Sequence, residues 1–327
     1  MGVPIYRQWQ DWDRRGIALT KQTMVNWVIQ VSQVYFEPIY DELHSILMQH
    51  TVLHSDGTTF QVLRESGKSP QSDSCMWMYR TGADAKDPII LFDYQPDKKK
   101  ERPQDFLKGF SGYLTTDAYA AYQSLPEDIV VTGCFAHLRS YFTDALKCLK
   151  NSDRVGSLAL VGQEYCNKLF NIEREIKDNT FDERYEIRNE KAAPVLDKFK
   201  LWLDALEPNV STGSKLGKAV GYALNQWKYL TRYLLDGRIE ISNNFSEITI
   251  KAFVINRKNF MFATSEAGGR AAAILQSITE TAKASRLDPF KYITYVLREA
   301  AGREIGKDAD LLARLLPQNV PPSCNSS

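Results

Sequence analysis

The stretch GRIEISNNFSEITIKAFVINRKNFMF, residues 237–262, decides how the rest of the chain is read. Ser242, Asn243 and Asn244 are poor inside a helix and good at its start, because their side chains accept from free backbone N–H groups. Behind them Phe245, Ile248, Ala252 and Ile255 recur at helical spacing, which predicts one buried apolar face. Glu247 lies off that stripe, with Asn244 one turn before it and Lys251 one turn after it. A carboxylate between an amide and a cation, on a helix with a buried back, suits a metal or a phosphate. The same residues also read as a Glu–Lys pair on a wet surface.

Upstream, residues 51–56 (TVLHSD) form a β-rich run that ends in Asp56-Gly57, so Asp56 is expected at or near a strand end. Further strands are predicted over 58–63, 75–81 and 89–94, with turn-like segments at 67–74 and 82–88. A helix follows over 101–110, then a strand over 112–116 with Asp117 directly after it. A short helix (118–124), a strand (129–132) and a helix (137–149) continue the alternation. Each of Asp56 and Asp117 also reads as a turn aspartate, since Asp is favoured after strands. His54 should share a sheet face with Asp56 and reads either as a substrate contact or, more often for such a residue, as a satisfied core or rim histidine.

Residues 151–236 are charged and helix-patterned with no strand signal; helices are predicted over 158–176, 193–206 and 216–235. The last carries Lys215, Lys218, Lys228 and Arg232 among aromatics, and either faces DNA or is a solvated face. At the N-terminus, a helix over 6–14, a break at Gly16 and a Thr20-capped helix with an apolar face of Met24, Val25, Trp27 and Val28 read as a helix-turn-helix remnant or an ordinary helical hairpin. After 262, a loop at 265–269, helices over 270–284, 288–298 and 310–316, and a disordered tail from about Pro317 are expected.

The chain has 327 residues, enough for a sizeable core. Lys and Arg number 41 against 40 Asp and Glu, a net charge of +1, so any nucleic-acid contact must come from local basic patches. The five cysteines are scattered without a Cys-x-x-Cys pair, which argues against a zinc ribbon or a disulfide framework. No apolar run approaches the roughly 18 residues of a membrane span. No signal-peptide pattern is present. A reducing cytoplasm is expected from these features.

Asn-Asn-x-x-Glu with a cation four positions after the Glu, followed by Arg-Lys-Asn-aromatic, resembles the third-carboxylate segment of bacterial DDE transposases. Together with LHSDGTTFQVL, GYLTTDAYAAY, GCFAHLRSYF, YLLDGRIEISNNFSE and INRKNFMF, it resembles the large transposase of the insertion sequence 66 family from about Pro4 to Arg298. The resemblance implies an α/β, ribonuclease-H-like (retroviral-integrase-type) mixed sheet with a large helical insertion and helical N- and C-terminal extensions. It divides the chain into an N-terminal helical segment (1–48), a first part of the core (49–150), the insertion (151–236), the helix with the third carboxylate (237–262), a C-terminal helical region (263–316) and the tail (317–327). Asp56, Asp117 and Glu247 match the catalytic, metal-binding triad; Lys251, Arg257, Lys258 and Asn244 fall on the DNA-contacting side. Cys134 and His137 match a Cys-x-x-His signature expected to orient the site or pack, since two ligands are too few for structural zinc.

Two carboxylates about 4 Å apart repel by about 4 kcal/mol at an effective dielectric near 20, so three together call for a cation. Oxygen-only ligands favour Mg²⁺ or Mn²⁺, and two such ions can clamp a scissile phosphate. The resemblance implies transposon-end DNA and target DNA as partners, a homo-oligomer, helper proteins of the same element and no membrane. Another ribonuclease-H-like nuclease, such as a junction resolvase, is the alternative enzyme. The family typically has Asp-Glu-Thr where this chain has Asp56-Gly57-Thr58, and it carries a Cys-rich metal-binding segment and a DNA-binding region upstream that are not in this chain. A truncated or inactive transposase that only binds DNA is therefore a third reading.

Overall fold

The computed structural model describes residues 3–326; residues 1, 2 and 327 of the expected terminal segments lie outside them. One long strand, β1 (Val52–Arg64), sets the frame. It pairs antiparallel with β2 (Asp73–Thr81), which pairs antiparallel with β3 (Ile90–Gln95). On its other edge β1 runs parallel to β4 (Gly112–Thr115), which runs parallel to β5 (Ile129–Thr132). Farther along that same edge it runs parallel to β6 (Phe262–Ser265). The result is a six-stranded mixed sheet of order β3-β2-β1-β4-β5, in a mixed α/β fold.

The expected strand break at Asp56-Gly57 does not occur, and Asp56 lies inside β1 rather than at its end. The ladder to β2 is continuous from Leu53↔Thr81 to Gln61↔Asp73, with Gly57 opposite Trp77. Gly57 has no positive φ. An unbroken row of ladder bonds outweighs the local turn preference of an Asp-Gly pair. On the opposite edge, β4 takes residues 52–54 of β1 and β6 takes Gln61, Val62 and Arg64. Residues 55–60 are left with no strand partner on that side, and this notch positions the site.

Side chains alternate across β1 as the pleat requires. Leu53 joins Cys75, Trp77, Tyr79 and Leu91 in the core on one face. Phe60 and Val62 join Met76, Met78, Ile90 and Phe92 on the other. His54 and Asp56 share the second face, as expected for His54. The free edge of β3 is covered rather than exposed: Ser277 and Thr281 hydroxyls accept from Phe92 N and Ile90 N at 2.7 and 3.0 Å. Those hydroxyls stand where a further strand would have offered carbonyls.

The N-terminal helices are α1 (Ile5–Arg14), α2 (Lys21–Val31) and α3 (Glu37–Leu47). A π-helical turn over Ser32–Phe36 joins α2 to α3, so the two form one long rod. Thr20 caps α2 by accepting from Thr23 N. The expected apolar face of α2 is only partly buried: Met24 is covered while Trp27 and Val28 are exposed.

After β3 come α4 (Glu101–Phe106), β4, β5 and α5 (Phe135–Lys147). The 151–236 region contains α6 (Asn151–Arg154), α7 (Leu158–Glu175), α8 (Phe181–Ile187), α9 (Ala193–Leu206) and α10 (Lys215–Leu230). These helices build a second core from Cys166, Leu169, Phe199, Leu203 and Ala219, joined to α5 through Phe142. Arg188 is fully buried there. It is held by Glu173 and by the carbonyls of Tyr233 and Asp236.

The chain returns through α11 (Asn244–Phe260), β6, α12 (Glu266–Ala284), α13 (Pro289–Ala300) and α14 (Ala309–Leu315). The stretch expected to be a loop at 265–269 instead contributes the end of β6 and the first turn of α12, capped by Ser265. The tail expected to be disordered is packed. Cys324 is buried, Asp288 N donates to its carbonyl at 2.8 Å, and Asn325 bridges to Leu287. Proline here makes short 3-10 turns over Pro317–Asn319 and Pro322–Cys324 rather than open chain. Among the described residues, no helix is long and apolar enough to cross a membrane.

Candidate active site

Asp56 and Asp117 come from neighbouring parallel strands. His54 pairs with Thr115 at the last rung of that ladder, so Asp56 and Asp117 each follow two residues beyond it, at the mouth of the notch. Asp117 lies just past β4 and accepts from Tyr119 N at 3.0 Å. Asp56 accepts from Gly57 N at 2.7 Å. Burial, opposed by that N–H, then nearby Asp117 and Glu247, opposed by His137, together raise the Asp56 carboxyl to about 6. The three acidic groups therefore share one electrostatic neighbourhood.

Glu247 arrives on α11, whose start is fixed by Asn243. The Asn243 side chain does not cap the helix as expected. Its Nδ2 donates to Ser55 O at 2.8 Å, and its Oδ1 lies 3.0 Å from His54 Nδ1. With Nδ2 committed to a carbonyl, Oδ1 must accept, so His54 carries a proton on Nδ1. Ser55 is in the notch of β1, so the amide serves a carbonyl that no strand reaches. Asn243 N also donates to Cys134 Sγ at 3.1 Å, and Phe135 N to Ile241 O at 3.0 Å, which ties α5 to the same point.

His54 is a buried core histidine: its Nε2 lies 2.6 Å from Glu240 Oε2, though neither atom makes a hydrogen bond of good geometry. Burial works against ionisation of Glu240, but His54 and Arg80 outweigh it and hold the carboxyl below its usual range. Neither Asn243 nor Glu240 was singled out as part of the site from sequence. The only signal was their place next to Glu247, and nothing local shows that Asn243 spends its amide on a strand almost 200 positions away.

This anchoring sets the rotation of α11. The face expected to be buried is turned outward: Phe245, Ile248 and Ile255 are 52%, 66% and 61% exposed. Ser246, Thr249, Ile250 and Phe253 face the sheet instead. A shift of one residue along a helix is a rotation of about 100°, enough to exchange the faces. Phe245 lies over the Arg80 guanidinium, 5.1 Å from ring centre to Cζ.

Glu247 ends half-exposed, with His137 Nε2 3.6 Å from Oε1 and Lys251 Nζ 3.9 Å from Oε2. Cys134 Sγ, His137 and Glu247 offer ligand atoms within 4.8 Å of one another. Cys134 beside the ring, against the opposing effect of burial, and then Glu247 and Asp117 push the His137 imidazole up to about 9. Its buried Nδ1 nevertheless has no hydrogen-bond partner of good geometry.

Lys251, Lys258 and Asn244 are exposed on α11. Arg257 is not free: its Nη1 reaches back to Thr59 Oγ1 at 3.3 Å, along the notch of β1. On the far side of β1, a hollow of about 80 Å³ is lined by Gly57, Cys75, Trp77, Lys98, Asp117, Tyr119 and Tyr122.

Comparison with known proteins places this arrangement in context. Residues 1–271 match the family described as Transposase IS66 family. Among curated proteins, the chain is 29% identical to the uncharacterized protein y4jD of Sinorhizobium fredii, over 97% of this chain and 63% of that protein. It is 29% identical to y4qI of the same organism, over 98% and 60%, and 27% identical to y4hP, over 95% and 59%. The chain thus spans about three fifths of the length of these curated relatives.

Proposed function

We propose that this chain, which belongs to the Transposase IS66 family, carries a ribonuclease-H-like catalytic core that cleaves transposon-end DNA and joins it to target DNA, with Asp56, Asp117 and Glu247 as its catalytic carboxylates. The observation that carries the reading is Asp56, a carboxyl inside β1 raised to about 6 by burial and by the other two acids. Such a group is short of positive charge. A strand order of β3-β2-β1-β4-β5, with the first three antiparallel, supports the ribonuclease-H-like assignment.

Carboxylate oxygens of Asp56, Asp117 and Glu247 would suit a hard divalent cation, Mg²⁺ or Mn²⁺. When bound, two such ions supply activation of an attacking oxygen and stabilisation of a leaving oxygen at one phosphate. The chain's own residues do the rest. Asn243 holds the start of α11 against β1, so Glu247 keeps a fixed height relative to Asp56. Lys251 and Lys258 present cations along the exposed side of α11, where a DNA backbone would lie. His137, held as an imidazolium, adds positive charge beside Glu247.

The test is Mg²⁺-dependent cleavage and strand joining on cognate end DNA, comparing intact protein with Asp117→Asn. Loss of both activities in the variant is the expected result; equal activity would refute the assignment. Cleavage without any joining would favour a plain nuclease.

A further inference from the structure

We propose that Cys134, His137 and Glu247 form a second cation site, selective for a borderline-soft ion such as Zn²⁺, and that an ion there withdraws Glu247 from the carboxylate centre. Sequence spacing alone offers only two ligands. The third comes from α11, more than a hundred positions later, and brings the ligand atoms within 4.8 Å of one another. A tetrahedral zinc site holds neighbouring ligand atoms roughly 3.5 Å apart. The pair His137 Nε2 and Glu247 Oε1 is already at 3.6 Å. All the ligand atoms lie within 4.8 Å of one another, so roughly tetrahedral spacing needs a closure on the order of an ångström at most pairs.

Three further observations support a ligand at this point. His137 Nδ1 is buried without a hydrogen-bond partner, so no bond at that nitrogen holds the ring against the small turn that aims Nε2 at an ion. Cys134 Sγ already receives the Asn243 N–H at 3.1 Å, the kind of supporting contact that steadies a ligating thiolate. Cys134 is buried while His137 and Glu247 are partly exposed, so the fourth position is open to water. A sulfur–nitrogen–oxygen donor set disfavours Mg²⁺ and suits Zn²⁺. Binding releases the Cys134 thiol proton and the His137 imidazolium proton to solvent.

Binding itself is independent of the proposed cleavage activity; only its inhibitory consequence rests on that reading. The probe is Co²⁺ added to the full, metal-free chain, followed by its thiolate charge-transfer and tetrahedral visible bands, with Zn²⁺ as competitor. The intact protein should develop both bands and lose them to stoichiometric Zn²⁺. Cys134→Ser should abolish the thiolate band. Because that change also touches the Asn243 contact, the half-exposed His137→Gln is the second variant, expected to weaken Zn²⁺ at least about a hundredfold. Asp56→Asn and Asp117→Asn should leave the bands intact. Absence of a thiolate band, or its persistence in Cys134→Ser, overturns the site. If Mg²⁺-dependent cleavage is present, Zn²⁺ should lower the rate of intact protein at concentrations that leave His137→Gln at its own zinc-free rate, whatever that rate is; equal fractional inhibition of both overturns the withdrawal of Glu247. Bands without any cleavage would sink the catalytic assignment and leave the second site standing.

Discussion

Asn243 Nδ2 donates to the carbonyl of Ser55 at 2.8 Å, joining the start of α11 to the middle of β1 across 188 positions of sequence. The same amide accepts from His54, so one side chain satisfies two buried groups. Asn243→Ala leaves both unpaired and is expected to cost about 3 kcal/mol. The measurement is urea unfolding, with divalent-cation binding by calorimetry at a urea concentration where both proteins are folded. Unchanged stability would mean the helix start is held by other contacts.

Two buried carboxyls make stability fall with pH in the metal-free protein. Burial pushes Asp93 up from 3.8 to about 6 against the Gln95 hydrogen bond, and Asp56 reaches about 6 for the reasons given above. For an acid whose folded value is raised, the folded state keeps its proton longer. The stabilising contribution is complete below about 4 and is lost as pH rises to about 6. Each group accounts for about 3 kcal/mol at most. Asp93→Asn should remove its share and raise stability at pH 7.5, while Mg²⁺ should recover only the share of Asp56. Denaturation midpoints at pH 4.5 and 7.5 decide this, and a rise in stability with pH in Asp93→Asn relative to wild type at pH 4.5 alone would contradict it.

Arg188 links α7 and the turn after α10. Removing it strands Glu173 and two carbonyls in the second core. Arg188→Ala is expected to cost about 3–5 kcal/mol, the usual range for breaking a buried pair. Thermal unfolding followed by tryptophan fluorescence would report it. Trp202 and Trp227 pack against that core.

Two glycines should respond in opposite directions to alanine. A Cβ on Gly237 would meet the Phe181 carbonyl oxygen at 1.8 Å, a backbone contact that has no side-chain escape. Gly221 sits inside α10 with nothing within 4 Å of such a Cβ. Gly221→Ala should therefore stabilise by about 0.5–1 kcal/mol, and Gly237→Ala should destabilise by several times that amount. Matched chemical denaturation of the two variants tests the contrast; the same sign for both would refute it.

If α11 faces DNA, its cations are not equivalent. Lys251→Ala and Lys258→Ala should each reduce the salt slope of DNA binding by about 1. Arg257→Ala should leave the slope unchanged and lower protein stability instead, since Arg257 is engaged with Thr59. Binding measured across a salt series separates the two effects.

Strand positions were legible wherever hydrophobic runs met turn residues. The runs at 75–81, 89–94 and 129–132 agree with β2, β3 and β5 to within a residue or two. The break at Asp56-Gly57 was misread because a turn-prone dipeptide carries no local sign of the ladder that keeps it extended. The buried face of α11 was misread for a related reason. Periodicity marks an apolar stripe, but a polar anchor, Asn243, sets which side meets the sheet. Thr20 and Asp288 show the easier case: the caps of α2 and α13 depend on bonds within three residues, and such bonds are written in local order.

By itself the sequence determined the alternation of strands and helices, the acidic positions Asp56, Asp117 and Glu247, and the family resemblance, because spacing and residue type act over a few positions. Only the tertiary structure decided that β1 runs unbroken, that Asn243 is spent on Ser55, that Arg257 is tied to Thr59, and that Glu247 meets the Cys134–His137 pair. Those outcomes depend on which distant groups are left unsatisfied once the sheet has formed, and hydrogen-bond demand at a notch in β1 exists only in three dimensions.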